Sequence, residues 1–484
     1  MNWLPLLSAV LLYQGGAPTT PVDVGNRAQL FIDRRLVHQA PGVSFTLHPA
    51  KKHPANPLIR SGPDAASRVY LCGSVLYDED ENLFKMWYLG CNGELYATSR
   101  DGLRWENSKT CWTGFMFAAV WKDRDDPDPA RRYKVIAWGP NAKGAKNTGY
   151  DPPIDTGYNT YVSPDGLQVT VHSREPICPH GDVIGGYYDR RLRLYVAFPK
   201  IMTQAMGFNR RCFYVTTSKD FDSWNPPQPA FVPDERDDAG SLARIEEARP
   251  ILDVPDVAAY RRTEFYGVGV YQAESCTVAF PWLFTINGAR RPGPQEGPGE
   301  VQLAVSCDLE RWERPFRSPA IPRGKPGEWD CGFFETAAEA FRVGDEIRLY
   351  YSCTNHGHGH EKRAGGPAPD HVYGVGLATW QLDRFVSADA PAGGGVLATV
   401  PLVFDGRRLE FNARTRPGGK IRVTLCDLAG SPLAGWPTSE DVCGDSLRHT
   451  VVFGGRGDLE TLARKPLTLR IELVDAELFS FAFR

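Results

Sequence analysis

Along this chain short apolar runs alternate with polar turns. From Val69, "VYLCGSVLYD" is followed by the turn "EDEN", then by "LFKMWYLG" and "GELYATS". Runs of this length, rich in β-branched and aromatic residues and bounded by turn formers, predict strands. A turn of one kind then recurs. "SRDGLRW" starts at Ser99, "SPDGLQV" at Ser163, "SKDFDSW" at Ser218 and "SCDLERW" at Ser306, with a weaker fifth copy, "LATWQLDRF", from Leu377. Each copy follows three strand-like runs. Ser and Asp side chains bond nearby backbone amides, Gly accepts positive φ, and the closing Trp can pack between neighbouring units. The motif is therefore read as architecture rather than chemistry. Five units of about four strands each predict a five-bladed β-propeller.

After residue 385 the pattern changes. "AGGG" at 392–395 reads as a hinge. "LVFDGRRLEFNART", "KIRVTLCDLAGSPLAGW", "LRHTVVFGG" and "LTLRIELVDAELFSFAF" then alternate as strands, which predicts a β-sandwich. The expected class is all-β, with the propeller over 18–390 and the sandwich over 391–484. The sandwich is expected to brace the propeller, with carbohydrate binding as its second role.

Composition narrows the function. The net charge of -3 gives no electrostatic reason to expect a nucleic-acid partner. No C-x-x-C pair occurs among the eleven cysteines, so zinc and redox sites lack their spacing, and the thiols read as small buried hydrophobes. The first residues, "MNWLPLLSAVLLYQGGAPTT", have the apolar core of a signal peptide over 1–17 with cleavage near Ala17. A secreted or periplasmic protein is expected. No later stretch has the length of a membrane span. The oligomeric state is left open.

Candidate chemistry follows from register. In a propeller, the side chain just before each innermost strand faces the axial pocket. Those positions hold Asp64 in the first unit, no acid in the second, Asp182 in the third, Glu264 in the fourth and Asp330 in the fifth. Converging carboxylates suit glycosidic cleavage, in which one carboxyl protonates the leaving oxygen and another attacks or activates water. Trp112, His180 and Trp329 lie near the same register and are types that stack on or bond to sugars.

Several segments carry a family resemblance, among them "LFIDRRLV", "GSVLYDEDENLFKMWY", "RRYKVIAW", "DVIGGYYDRRLRLYVAF", "GEWDCGFF" and "LRIELVDAELFSFAF". With them the chain resembles the five-bladed propeller glycoside hydrolases of the invertase and arabinanase-like superfamily, families 32 and 43, and within them bacterial secreted family-32-like proteins. The resemblance implies a propeller followed by a sandwich and action on a poly- or oligosaccharide, often a furanoside. It also implies an Asp as nucleophile or base, a second Asp that tunes the site, and a Glu as general acid. On this chain those roles fall on Asp330, Asp182 and Glu264, with Asp64 in reserve for Asp330. The invertase Asn-Asp-Pro-Asn-Gly signature and the Glu-Cys acid motif are absent.

The remaining motifs are weaker. "RDDP" at 124–127 reads as a hairpin turn, and Glu274 in "YQAESC" sits at a far hairpin. His356, His358 and His360 alternate in a Gly-rich loop that reads as a rim loop, with metal binding as the alternative. No cofactor is required, and a Ca²⁺ ion held through His180 is a structural option. Two rival functions remain: a non-catalytic glycan-binding propeller, and a sialidase-like enzyme, which would need three axial arginines.

Overall fold

The computed structural model describes residues 20–61, 68–90, 93–114, 116–139, 146–147, 153–252, 256–289, 295–359 and 371–484. The chain is almost entirely β. It divides into two compact units: Leu47–Phe385, and a second made of the residues up to Thr46 together with Val386–Arg484.

The larger unit is built from antiparallel meanders. One runs Tyr70–Asp78, Leu83–Gly90, Gly93–Ser99, Glu106–Trp112, and a second Met116–Lys122, Tyr133–Trp138, Tyr158–Ser163, Thr170–Val171. A third runs Ile184–Asp189, Leu194–Ala205, Phe208–Ser218, Gln228–Phe231. A ten-stranded sheet holds the rest apart from two short hairpin sheets, Lys146–Asn147 with Ile154–Asp155 and Gly288–Ala289 with Gln295–Glu296. In it Arg262–Gln272 and Thr277–Ile286 are followed by Gly299–Val301 and Ala304–Ser306. Glu346–Thr354 pairs with Phe334–Thr336, Glu339–Val343 and Tyr373–Gln381. The outer edge of Tyr373–Gln381 is closed by Lys51–Lys52 and Ile59–Arg60, so the start of this unit completes its last sheet and leaves no bare edge there.

The first strands of these groups are neighbours in a ring. Met116–Lys122 lies against both Tyr70–Asp78 and Ile184–Asp189, and Ile184–Asp189 lies against Arg262–Gln272. Phe334–Thr336 and Glu339–Val343 lie between Arg262–Gln272 and Tyr70–Asp78. Between adjacent groups the core is apolar and aromatic. Trp87, Tyr133 and Tyr161 fill one interface, and Trp121, Tyr158 and Phe221 the next.

The recurring turn has the structural role that its residues imply. In the first copy Ser99 Oγ accepts from Gly102 N at 2.9 Å, and Asp101 Oδ1 accepts from Leu103 N and Arg104 N at 2.8 Å each. The turns at Ser163, Ser218 and Ser306 repeat this arrangement. The turns also link neighbours. Tyr350 Oη donates to Gly102 O at 2.8 Å, Trp87 Nε1 donates to Gly166 O at 2.8 Å, and Trp105 meets the edge of Tyr350 at 5.6 Å.

In the smaller unit, Thr468–Phe483 is the spine. Leu409–Cys426 pairs along one edge of it; Gly395–Thr399, Val386–Ala390 and Gln29–Leu30 share the other. The expected boundary at 18–390 is corrected here. Val22–Gly25 pairs in parallel with Leu402–Phe404, and Val37–Gln39 pairs with Gly395–Thr399, so the N-terminal strands fold with the C-terminal ones. Their backbone groups are paired there with C-terminal strands.

The ten cysteines among the described residues are free thiols, most of them buried. No helix among the described residues is long and apolar enough to cross a membrane. The signal-peptide segment lies outside the described residues.

Candidate active site

Charged side chains gather where the strands of the inner ring begin. Asp182 stands two residues before Ile184–Asp189. Its φ is 104°, a left-handed value that favours glycine and costs roughly 1–3 kcal/mol for another residue. The short carboxylate eases this locally, because Asp182 Oδ1 accepts from Val183 N at 2.7 Å. Asp182 Oδ2 lies 2.6 Å from Lys200 Nζ, with the carboxylate side chain 32% exposed and the lysine 5%. Burial first, and the nearby Arg211 as well, push the Lys200 ammonium below its ordinary value, while Asp182 opposes the shift.

Tyr266 lies beneath these cations. Lys200 Nζ is 4.2 Å and the Arg211 guanidinium carbon 5.3 Å from its ring centre. Burial first, and then Asp182, hold its hydroxyl well above the ordinary value. His358 Nε2 is 3.0 Å from Tyr266 Oη, and Nδ1 is 3.0 Å from Gln295 O. A carbonyl only accepts, so in the neutral imidazole Nδ1 carries the proton and Nε2 accepts from the tyrosine. His356 stacks on His371 with ring centres 4.1 Å apart. The histidine segment 355–359 is therefore packed inward rather than set on a rim; His360 lies outside the described residues. Among the described residues no group of three His, Cys, Asp or Glu side chains is placed to hold a metal ion, and no step is assigned to Ca²⁺.

Two acids that the register argument missed belong to this cluster. Glu335, in Phe334–Thr336, is 7% exposed and accepts from Ser352 Oγ at 3.0 Å. Its neighbour Cys72 is buried, and its thiol is pushed well up by burial and then by Glu335, with Asp182 and Glu94 adding to the effect. The fully buried Glu94 accepts from Ala118 N at 3.2 Å through Oε1, while its Oε2 has no hydrogen-bond partner. Burial raises the Glu94 carboxyl to about 8, so it holds its proton at neutral pH. One sequence signal marks both residues. "GELYATS" holds one Glu and "CGFFETAAEAF" two, Glu335 and Glu339, each among apolar residues, and a buried Glu needs a partner or a function.

The other expected residues are placed as follows. Glu264 is fully buried between two arginines, with Arg211 Nη1 2.5 Å from Oε2 and Arg262 Nε 2.7 Å from Oε1. Both oxygens of the enclosed Glu264 are thus engaged by arginines, and neither is open to a leaving oxygen. Two arginines, not three, converge on it. Asp330 Oδ2 is held by Lys52 Nζ at 2.6 Å and Tyr351 Oη at 2.9 Å. Trp329 stacks on Tyr351 at 5.6 Å beside it. Trp112 is a packing residue, corrected from a sugar contact. It is buried in the core between meanders, and its Nε1 donates to Leu167 O at 2.8 Å. His180 is half-buried in the turn leading to Asp182. Asp64 lies outside the described residues.

A cavity of about 840 Å³ opens at the far ends of the inner strands, lined by Trp121, Tyr188, Tyr271, Glu274, Glu339 and Phe341 among others. It is separate from the acid cluster, which lies where the same strands begin. Glu274 sits there at a hairpin, as expected. Arg124 of "RDDP" pairs with Glu79 at 2.6 Å in a turn, also as expected.

No family model matches this chain, and no curated protein matches it. Among solved structures it is similar to an N-acetylgalactosamine deacetylase from F. plautii in complex with blood group B trisaccharide, at 12% identity over 72% of this chain and 96% of that one, with a TM-score of 0.42. It is similar to an endo-arabinase from Bacteroides thetaiotaomicron at 12% identity over 67% and 98% of the two chains, with a TM-score of 0.41. An exo-inulinase from Aspergillus awamori is similar at 9% identity over 94% and 99%, with a TM-score of 0.37.

Proposed function

We propose that this protein is an exported glycoside hydrolase, built as a five-bladed β-propeller with a C-terminal β-sandwich, that cleaves a poly- or oligosaccharide. The ring of neighbouring inner strands and the closure of the last sheet by the first strands of its unit support the five-blade count. One observation carries the function. Asp182, half-exposed in a strained backbone conformation just before one inner strand, and Glu335, on another inner strand, both raise the Cys72 thiol, as carboxyls gathered at one end of the ring would.

In this reading Glu335 gives its proton to the leaving oxygen, and Asp182 attacks the sugar or activates water. Glu335 replaces Glu264 as general acid because both oxygens of the fully buried Glu264 are taken up by Arg211 and Arg262. Lys200 orients Asp182, and Tyr266 offers a ring face below. Trp329, beside Asp330 and stacked on the buried Tyr351, offers an aromatic shelf for a second sugar ring. The same shelf also favours the second reading, glycan binding without cleavage. The test is sugar release by the purified protein from fructans, arabinans and sulfated galactans. Release that disappears in Asp182→Asn supports the hydrolase. Retention on one glycan by wild type and variant alike, without release, supports the binding reading.

A further inference from the structure

The charges of this site are layered. Asp330 and Glu264 lie lowest, 4% and 0% exposed, each covered by its cation. The covering cations, Lys52 at 25% and Arg211 at 21%, reach further out. They flank Glu335. Lys52 Nζ is 5.8 Å from the Phe334 ring, and Arg211 adjoins Tyr266 and Phe284, which both meet Phe333 edge-on. Glu94 is buried and protonated, and so adds no charge near neutral pH. The most exposed anion of the cluster is Asp182, already paired with Lys200.

Arg211 has a further property. Its side-chain hydrogen bonds, to Glu264 Oε2 and Gln295 Oε1, both leave from Nη1. Among the described residues Nε and Nη2 make none. Nε and Nη2 form one edge of the guanidinium fork, and such an edge matches two oxygens of a carboxylate or sulfate. Glu264, with Arg262 as its second clamp, fixes the plane of that fork without using this edge.

We propose that the open edge of Arg211 recognises an oxyanion on the sugar, a carboxylate or a sulfate, so that the enzyme selects an acidic glycan. Lys52, by the Phe334 ring, adds favourable charge. The inference rests on the glycosidase reading for the site it occupies. It concerns selection, however, and can fail alone.

The test is retardation of the protein in gels containing neutral galactan, sulfated galactan or polygalacturonate. Wild type and Arg422→Gln, a charge removed from the other unit, should be retarded alike by one acidic polymer and far less by neutral galactan. Which acidic polymer retards them identifies the oxyanion. Arg211→Lys keeps a cation for Glu264 but loses the fork, and should bind about tenfold more weakly, close to 1.4 kcal/mol. Arg211→Gln should lose at least as much. Unchanged retardation by Arg211→Lys, or equal loss in Arg422→Gln, would overturn the proposal. So would preference for the neutral polymer: with sugar release intact, that result leaves the glycosidase standing. No retardation and no release on any polymer would remove both.

Discussion

Glu264 and Arg211 are joined at 2.5 Å between Oε2 and Nη1, with the carboxylate wholly buried. This contact makes Glu264 a structural anion. Removing one partner of a buried pair leaves the other charge uncompensated, at a cost of about 3–5 kcal/mol. Glu264→Gln should therefore lower stability by about that amount in denaturant titrations, while turnover per folded molecule changes little. A loss of turnover without a loss of stability would return the general-acid role to Glu264.

Asp237 makes a second such centre. It receives Arg314 Nη2 at 2.6 Å and Arg317 Nη1 at 2.9 Å, and at the third position of the helix Glu235–Ala239 it accepts from the N–H of the capping residue Asp234. Burial alone would raise this carboxyl, but Arg314 and Arg317 outweigh it and pull it to about 2. Its stabilisation is present above the unfolded value near 3.8 and is lost as pH falls towards 2. Asp237→Asn should cost about 3 kcal/mol at neutral pH. Unfolding midpoints measured between pH 7 and pH 2 should show the gap to wild type closing.

Glu94 has the opposite sign. Its folded value, about 8, lies above the ordinary 4.5, so folding favours the proton. That contribution is full below the unfolded value and is lost as pH rises through the folded one. Glu94→Gln, neutral throughout, should gain on wild type between pH 5 and pH 9 by on the order of 4 °C in Tm. A gap independent of pH would show that Glu94 is ionised in the folded chain.

The Ser-x-Asp turns predict a graded series. Ser163→Ala loses the bond to Gly166 N at 2.9 Å and should cost about 1 kcal/mol. Gly166 has φ of +75°, and an added Cβ would lie 2.6 Å from Trp87 Cζ2. Gly166→Ala should therefore cost more than Ser163→Ala in the same titration. The reverse order would contradict the role given to this turn.

These turns are also what made the fold legible in the sequence. Ser, Asp and Gly act within a few residues of one another, so their bonds can be read locally, and the alternation between turns gives the strands. Asp182 was legible through its register before an inner strand. Glu335 and Glu94 were hidden inside apolar runs, and the fate of Glu264 depended on Arg211, which lies 53 residues away. The expected domain boundary failed for a similar reason: Val22–Gly25 finds its partner only at Leu402–Phe404. What depends on distant pairs cannot be read from local pattern.

The most direct measurement is the rate of reducing-sugar release from the best glycan by wild type, Asp182→Asn and Glu335→Gln, with folding checked by circular dichroism. Two carboxyls acting on one bond predict that each folded variant loses at least about a hundredfold in kcat. Glu335→Gln should recover on substrates whose leaving group needs no proton. Folded variants that release sugar at the wild-type rate would contradict the assignment of the reaction to this pair.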